Sequence, residues 1–404
     1  MLSVLRGRNF ALLWTSGLVS VTGDWVLNAA LPFFVYEQTG STVATASMIV
    51  ARLAPTVLLG SVAGVFVDRW SRKRVLIWTN VAQTAVVMLL LLVPRDGSLS
   101  VVFVVAAAQS VASSFSSPGE SALLPALVGP DDLLAANALN TLNNRIARLV
   151  GVPLGGVLLT YAGIKAVVLV DVVSFAAAAL LVAPITTQPV ACVVVQASSA
   201  WESFWREWLA GLRLVRNDRT IALLFLVLGL MTFGGTMLDP LTVAWVRDVL
   251  GEGPQVFTWI LTVHAAAGIA GSLLVGRFGR RFTPRDLIGW GSLVAGAALA
   301  LRYNLPSVAL ALAMSAVAGL TSVASSTGVE TLAMQSVRDE LRGRVFGSLN
   351  ATLSLLSLAG AAIAGLVAEI VGIVPMLNVA AALIAVAGLL VLGTYRVRST
   401  EIRR

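Results

Sequence analysis

GVFVDRWSRKR (Gly64–Arg74) crowds Asp68, Arg69, Arg72, Lys73 and Arg74 between two runs with almost no charge. TVLLGSVAGVFV (56–67) precedes them and VLIWTNVAQTAVVMLLLLV (75–93) follows. A loop this charged between runs this apolar marks a chain that crosses a bilayer and turns in water. The whole sequence agrees: its 404 residues are 57% hydrophobic and 12% charged, with a mean hydropathy of +0.89. Soluble domains carry roughly 25% charged residues, so this chain lacks the polar surface to cover itself. Apolar segments of about 20 residues, long enough to span a membrane as helices, recur along its length.

Outward from that loop, apolar runs between charged or Gly/Pro breaks predict spans over 10–36, 43–68, 74–93, 98–128, 137–163 and 164–184. A second set follows at 220–247, 255–277, 285–302, 304–336, 343–372 and 373–395. The apolar run at the N-terminus continues past any short signal-peptide core and reads as an uncleaved first span. Twelve spans put both termini on one side. That side collects Arg6 and Arg8, the opening cluster, Arg206–Arg219, Arg277–Arg285, Arg338–Arg344 and the C-terminal arginines; the other has Arg95, Lys165, Arg247 and Arg302. The positive-inside rule then predicts a multi-pass protein of the cell membrane with both termini cytoplasmic. The net charge of +8 is explained by topology, and no nucleic-acid partner is expected. One cysteine, Cys192, and one histidine, His264, exclude an internal disulfide and a Cys- or His-rich metal site. No P-loop for ATP is present, no cofactor is expected, and no nucleophile or metal constellation points to an enzyme.

SSPGESALLPALV (116–128) and SSTGVETLAMQSV (325–337) align with a shift of 209, which also pairs Gly151 with Gly360, Gly156 with Gly365 and Gly163 with Gly372. Six spans thus read as duplicated in parallel, a plan used by transporters with a site between repeats. The expected organisation is an N-terminal six-helix bundle (1–184), a linker (185–219) and a C-terminal six-helix bundle (220–404). In the linker Trp201, Phe204, Trp205, Trp208, Leu212 and Val215 keep helical spacing on one face. An amphipathic helix at the cytoplasmic interface is expected there.

The opening stretch, read with this repeat, resembles motif A of the major facilitator superfamily: Gly64, Asp68, Arg69, Arg72 and Lys73 fit, with Ser71 in place of the usual Gly. GRFGRRFTPRDLI (276–288) is similar to the degenerate second copy, with Arg280 where the Asp would stand. SALLPALVGPDDLLAANAL, VDVVSF and SVRDELRGRVFGSLN resemble the drug- and siderophore-exporter branch, which includes macrolide efflux proteins and the enterobactin exporter. The resemblance implies an all-α fold of two pseudo-symmetric six-helix bundles and a gate in which Asp68 latches the cytoplasmic side. Two departures stand out. The helix-4 antiporter motif keeps Gln109 but has Ala106 in AAAQS (106–110) and no arginine. The helix-5 motif reads GVPLGG (151–156), with its proline moved to Pro153.

Ionisable residues inside a span cost at least about 2.5–3.5 kcal/mol on insertion scales and are functional candidates by default. Asp24, Glu120, Asp239 and Glu330 fall on spans 1, 4, 7 and 10, which in the superfamily line a central cavity. They are the proton-coupling candidates, Asp24 first because it sits near mid-span. Arg52, Arg145 and Arg148 are their expected charge partners, and a static salt bridge from Asp24 to Arg52 or Arg148 is the competing role. Asp171, on span 6, is expected to hydrogen-bond within its own half. Trp25, Phe33, Phe115 and Phe233 are candidate cavity walls. The resulting reading is a monomeric, proton-coupled antiporter that exports hydrophobic or amphipathic small molecules by alternating access, as in multidrug efflux. A dedicated exporter of one metabolite (a siderophore or antibiotic), a lysophospholipid transporter and a transport-dead sensor are the alternatives.

Overall fold

Lipid offers no partner to a free N–H or C=O, so each apolar run must satisfy its peptide groups within itself, and helices follow. The computed structural model describes residues 4–92, 99–186, 219–337 and 339–394, and among them there is no strand. The side chains of 60–69, 339–341, 343 and 344 also lie outside the described part. The helices are α1 (Arg8–Thr39), α2 (Thr42–Arg69), α3 (Arg72–Met88) and α4 (Ser100–Leu123), followed by one run over Leu133–Val182. Then come α7 (Arg219–Ala244), α8 (Pro254–Phe278), α9 (Pro284–Asn304), α10 (Val308–Ser336), α11 (Asp339–Val371) and α12 (Ile373–Thr394).

A straight helix over Leu133–Val182 would be about 75 Å long, more than twice the hydrocarbon core. It breaks at Gly163, where φ is 74° and ψ is 178°. The neighbours along α1 show that the chain turns back there. Before the break, Trp14 donates to the Leu139 carbonyl and Asn143 to that of Trp14, while Gly151 meets Thr22 and Gly155 meets Val26. Both numbers rise together, so this limb runs parallel to α1. After the break, Asp171 and Ser174 meet Gly23, Ser16 donates to the Ala178 carbonyl, and Asn9 to Thr186. Here one number falls as the other rises. The limbs are named α5 (133–162) and α6 (164–182), with α1 clasped between them. Ten of the described helices are long and apolar enough to cross a membrane. That number takes Pro130–Val182 as one run and leaves out α9, which carries Arg285, Asp286 and Arg302.

The backbone at Gly163 is in a region that side chains with a Cβ avoid, at a cost of about 1–3 kcal/mol. Gly163→Ala is therefore expected to lower the melting temperature of the purified protein by several degrees. Gly129→Ala, at φ −68° with open space around it, should leave it unchanged in the same scan.

The chain divides into two compact units: Met1–Phe204 with Glu252–Thr262, and Trp205–Gly251 with Val263–Arg404. The start of α8 therefore belongs with the first unit. There Phe257 meets Phe33 with ring centroids 5.9 Å apart. In the first unit α2 packs on α4, and α3 reaches α6 through Leu76 and Val182, which share a core with Leu13, Leu123 and Ile185. The second unit repeats the plan. α7 packs on both α11 and α12, with Gly360 against Phe233 and Thr236 and Gly234 against the Ala380 carbonyl. Gly319 lets α10 abut α8 at His264, and Gly296 lets α9 abut α12 at Ala381. Small residues permit such close approach where lipid supplies no hydrophobic drive between helices.

One charge departs from its expected place. Arg302, read as an outer-loop cation, is 5% exposed. It donates to Ser315 Oγ at 3.1 Å, to Thr242 Oγ1 at 3.3 Å and to the Tyr303 hydroxyl, so a single guanidinium joins α7, α9 and α10. Burial without a hydrogen bond would be prohibitive for this group, and three hydroxyls take the place that water would have had.

Candidate functional site

Asp24 lies midway along α1, partly buried, because α1 is held by neighbours along its length. The residue before it is what lets a second carboxylate approach. A Cβ on Gly23 would collide with Ser174 Oγ and lie 2.7 Å from Asp171 Oδ1, so only glycine leaves room for α6 there. Asp171 is 0% exposed. Ser174 Oγ donates to its backbone carbonyl at 2.8 Å and reaches its carboxylate at 3.4 Å. From α4, Gln109 Nε2 donates to Asp24 Oδ1 at 2.9 Å and to Asp171 Oδ2 at 3.4 Å. Two carboxylates from α1 and α6 thus share one amide from α4. Arg52 on α2 acts on Asp24 electrostatically and hydrogen-bonds Asn28 Oδ1 at 2.9 Å.

A cavity of about 220 Å³ opens from Asp24 along α1. Its α1 wall is Leu13, Ser16, Gly17, Ser20, Val21 and Asp24, and its α3 wall is Leu76, Asn80 and Gln83. α4 adds Ser113, Ser116, Ser117, Glu120 and the adjoining Ser121; α5 adds Asn140 and Asn144; α6 adds Phe175 and Val182. Glu120 stands near Gly17, seven residues or about 10 Å along the helix from Asp24. Asn140 hydrogen-bonds its carboxylate. One cavity therefore contains two of the four carboxylates singled out above.

The other two are elsewhere, on the second unit. Asp239 is exposed on α7 beside the buried Pro240, and Glu330 is exposed on α10. The shift of 209 aligns Glu120 with Val329, so Glu330 is one residue off. One residue turns a helix by about 100°, which sends Val329 into the core at 3% exposure and Glu330 outward. Arg145 is exposed and makes no ion pair with a described residue, so the expected pairing with Glu120 is absent there. The Arg148 guanidinium lies 4.9 Å from the Trp25 ring centre. Phe33 is 1% exposed, whereas Phe115 and Phe233 are partly buried.

In the opening motif, Arg72 and Lys73 are partly buried in the first turn of α3. The side chains of Gly64, Asp68 and Arg69 lie outside the described residues, as does the Trp-rich segment of the linker. Among the described residues no group of three His, Cys, Asp or Glu could hold a metal ion.

Two site residues have a larger part than the sequence suggests. There Gln109 reads only as a remnant of an antiporter motif, and Asp171 only as a structural acceptor. A signal for Asp171 is present, since a carboxylate in VDVVSF sits deep in a span. Nothing local could join it to Gln109, 62 residues away.

The chain matches the family model described as transmembrane secretion effector over residues 1–403. It is similar to macrolide efflux protein A of Streptococcus pyogenes, 26% identical over 370 residues that cover 90% of each chain. It is also similar to the putative bacilysin exporter BacE of Bacillus subtilis, 24% identical over 83% of each. Among solved structures, a bacterial homologue of the iron transporter ferroportin in its inward-facing state superposes with a TM-score of 0.72. That match has 18% identity and covers 95% of this chain and 98% of the other.

Proposed function

We propose, from the premise that this chain belongs to the transmembrane secretion effector family of the major facilitator superfamily, that it exports a hydrophobic or amphipathic small molecule in exchange for protons. The likeness to a macrolide efflux protein supports export, and the likeness to a putative bacilysin exporter favours a narrow substrate range within it. One observation carries the proton: Gln109 donates to Asp24 and Asp171 together. Two carboxylates brought to one amide inside the spans repel each other, and a proton held on one of them relieves that repulsion. Asp24, beside the cavity, is the member that exchanges it, and Asp171, fully buried against Ser174, is the fixed one. Alternating access of the two units would expose Asp24 to each side in turn, with Asp68 as the cytoplasmic latch. The distribution of Lys and Arg puts both termini in the cytoplasm.

Inside-out vesicles with an acid interior and a pH-sensitive dye test this reading. Macrolide, tetracycline, lipophilic-cation and siderophore compounds are added one at a time. Proton release with at least one of them, absent from vesicles lacking the protein, is the expected result. Vesicles that accumulate a compound without any proton release would rule out proton exchange.

A further inference from the structure

We propose that the end of α8, where Arg277 and Arg281 share the ring of Phe278, is a docking surface for an anionic phospholipid. The lipid phosphate sits between the two guanidiniums, and its acyl chains lie along the exposed apolar side of α8. The surface belongs to the degenerate second copy of the opening motif, which the export reading leaves without a role. It depends neither on the exported molecule nor on proton exchange.

The charges of GRFGRRFTPRDLI (276–288) are sorted by what they touch. Of its four arginines, Arg285 turns to α12 and donates to the Leu392 carbonyl. Arg277, Arg280 and Arg281 are exposed and make no ion pair with a described residue. The Arg277 and Arg281 guanidiniums each lie 5.6 Å from the Phe278 ring centre, within the roughly 6 Å at which a ring face attracts a cation. Two like charges are thus drawn to one ring, with no described carboxylate paired to either. The one acid of the stretch, Asp286, is taken up by the cap of α9. Thr283 donates to its carboxylate from the backbone N–H at 3.2 Å and from the hydroxyl at 2.7 Å. Where the motif would place a second acid stands Arg280. An anion between the guanidiniums relieves their repulsion, and guanidinium forks match phosphate oxygens in pairs.

An apolar face continues from these charges. Leu273, Leu274, Phe278 and Phe282 are all exposed. Residues four apart share a helix face, so Leu273 and Leu274 lie one turn before Arg277 and Phe278. The ring contact keeps Arg281 on that side across the 3₁₀ turn at Gly279–Arg281. Cations at the end of an apolar stripe fit a molecule with an anionic head and long apolar tails. A soluble acidic protein would leave the leucines uncovered, and inorganic phosphate would use only the arginines. Charge complementarity and the continuous apolar surface together commit this face to a lipid of the surrounding bilayer. Any basic residue near a bilayer attracts anionic lipid diffusely; the shared ring, which holds two guanidiniums in one place, makes a defined site.

The full-length protein in detergent micelles is titrated with phosphatidylglycerol, and separately with phosphatidylcholine, and the bound lipids are counted by native mass spectrometry. Phosphatidylglycerol is expected to stay bound and phosphatidylcholine not. The double variant Arg277→Gln/Arg281→Gln should weaken the first bound phosphatidylglycerol at least about tenfold, the worth of two basic side chains at an anionic surface. Phe278→Leu keeps an apolar side chain but removes the ring, and should weaken it by a smaller factor. Arg6→Gln/Arg8→Gln removes the same charge from exposed arginines of the N-terminus and should leave the first lipid in place. Equal melting temperatures for these variants and the wild type separate loss of binding from loss of fold. Unchanged phosphatidylglycerol affinity in Arg277→Gln/Arg281→Gln, or an equal loss in Arg6→Gln/Arg8→Gln, overturns the proposal. Displacement of the lipid by inorganic phosphate or by a poly-glutamate peptide at matched concentration also overturns it, in favour of a soluble anion or an acidic protein.

Discussion

Asp24→Asn is expected to reduce substrate-driven proton release in inside-out vesicles to the level of vesicles without the protein. Asparagine has the shape of aspartate and its side-chain oxygen can still accept from Gln109 Nε2, which reaches Asp24 at 2.9 Å. The α1–α4 contact should therefore survive, and the melting temperature should change little. What disappears is the exchangeable proton, because an amide has no acid–base chemistry near neutral pH. Substrate counterflow, which needs binding and alternating access but no net proton movement, should persist in the same variant. Loss of proton release with retained counterflow would assign coupling to Asp24. Proton release that survived would move it to Asp171, Asp239 or the glutamates. Loss of both activities with a lowered melting temperature would mark Asp24 as a packing residue.

Gly155→Val should be among the most damaging single substitutions to the fold. At Gly155 α5 lies against the backbone of α1: an added Cβ would stand 3.2 Å from Val26 Cα, and nearer still to the Val26 carbonyl oxygen. A flexible side chain could swing aside, but a helix backbone cannot. The limb must therefore move off α1 as a body and take Asn143 and its hydrogen bond to Trp14 with it. Overpacking of this kind costs roughly 1–3 kcal/mol and occasionally more. A valine branch also crowds the preceding helical turn. The expected readout is a clear fall in melting temperature and in the yield of monodisperse protein. Gly393→Ala on α12, with nothing within 4 Å, should be neutral or slightly stabilising, since alanine favours helix over glycine. Equal melting behaviour for the two variants would mean that α1 and α5 tolerate separation.

Much of the architecture is legible in the sequence. The pairing of Gly163 with Gly372 in the repeat anticipates that both take positive φ, 74° and 99°, and each ends the fifth helix of its half. Gly151 and Gly360, also paired, each seat a fifth helix against the first helix of the same half. The same alignment separates the two glutamates. Glu120 and Glu330 occupy neighbouring, not equivalent, columns, and on a helix that step separates a cavity wall from an exposed face. Arg302 departs from expectation for a related reason. Its position at the end of a span suggests a loop, yet Thr242, Tyr303 and Ser315 surround it from three helices.

The sequence by itself determined that the chain is a multi-pass helical membrane protein, where its helices run and that they repeat. Hydropathy and charge are properties of the one-dimensional chain, and a bilayer reads them segment by segment. Only the tertiary structure decided that Asp24, Gln109 and Asp171 meet, and that Asp24 and Glu120 line one cavity along α1. Which side of a helix faces which neighbour depends on how closely the backbones approach, and at Gly23 a single missing Cβ sets that distance.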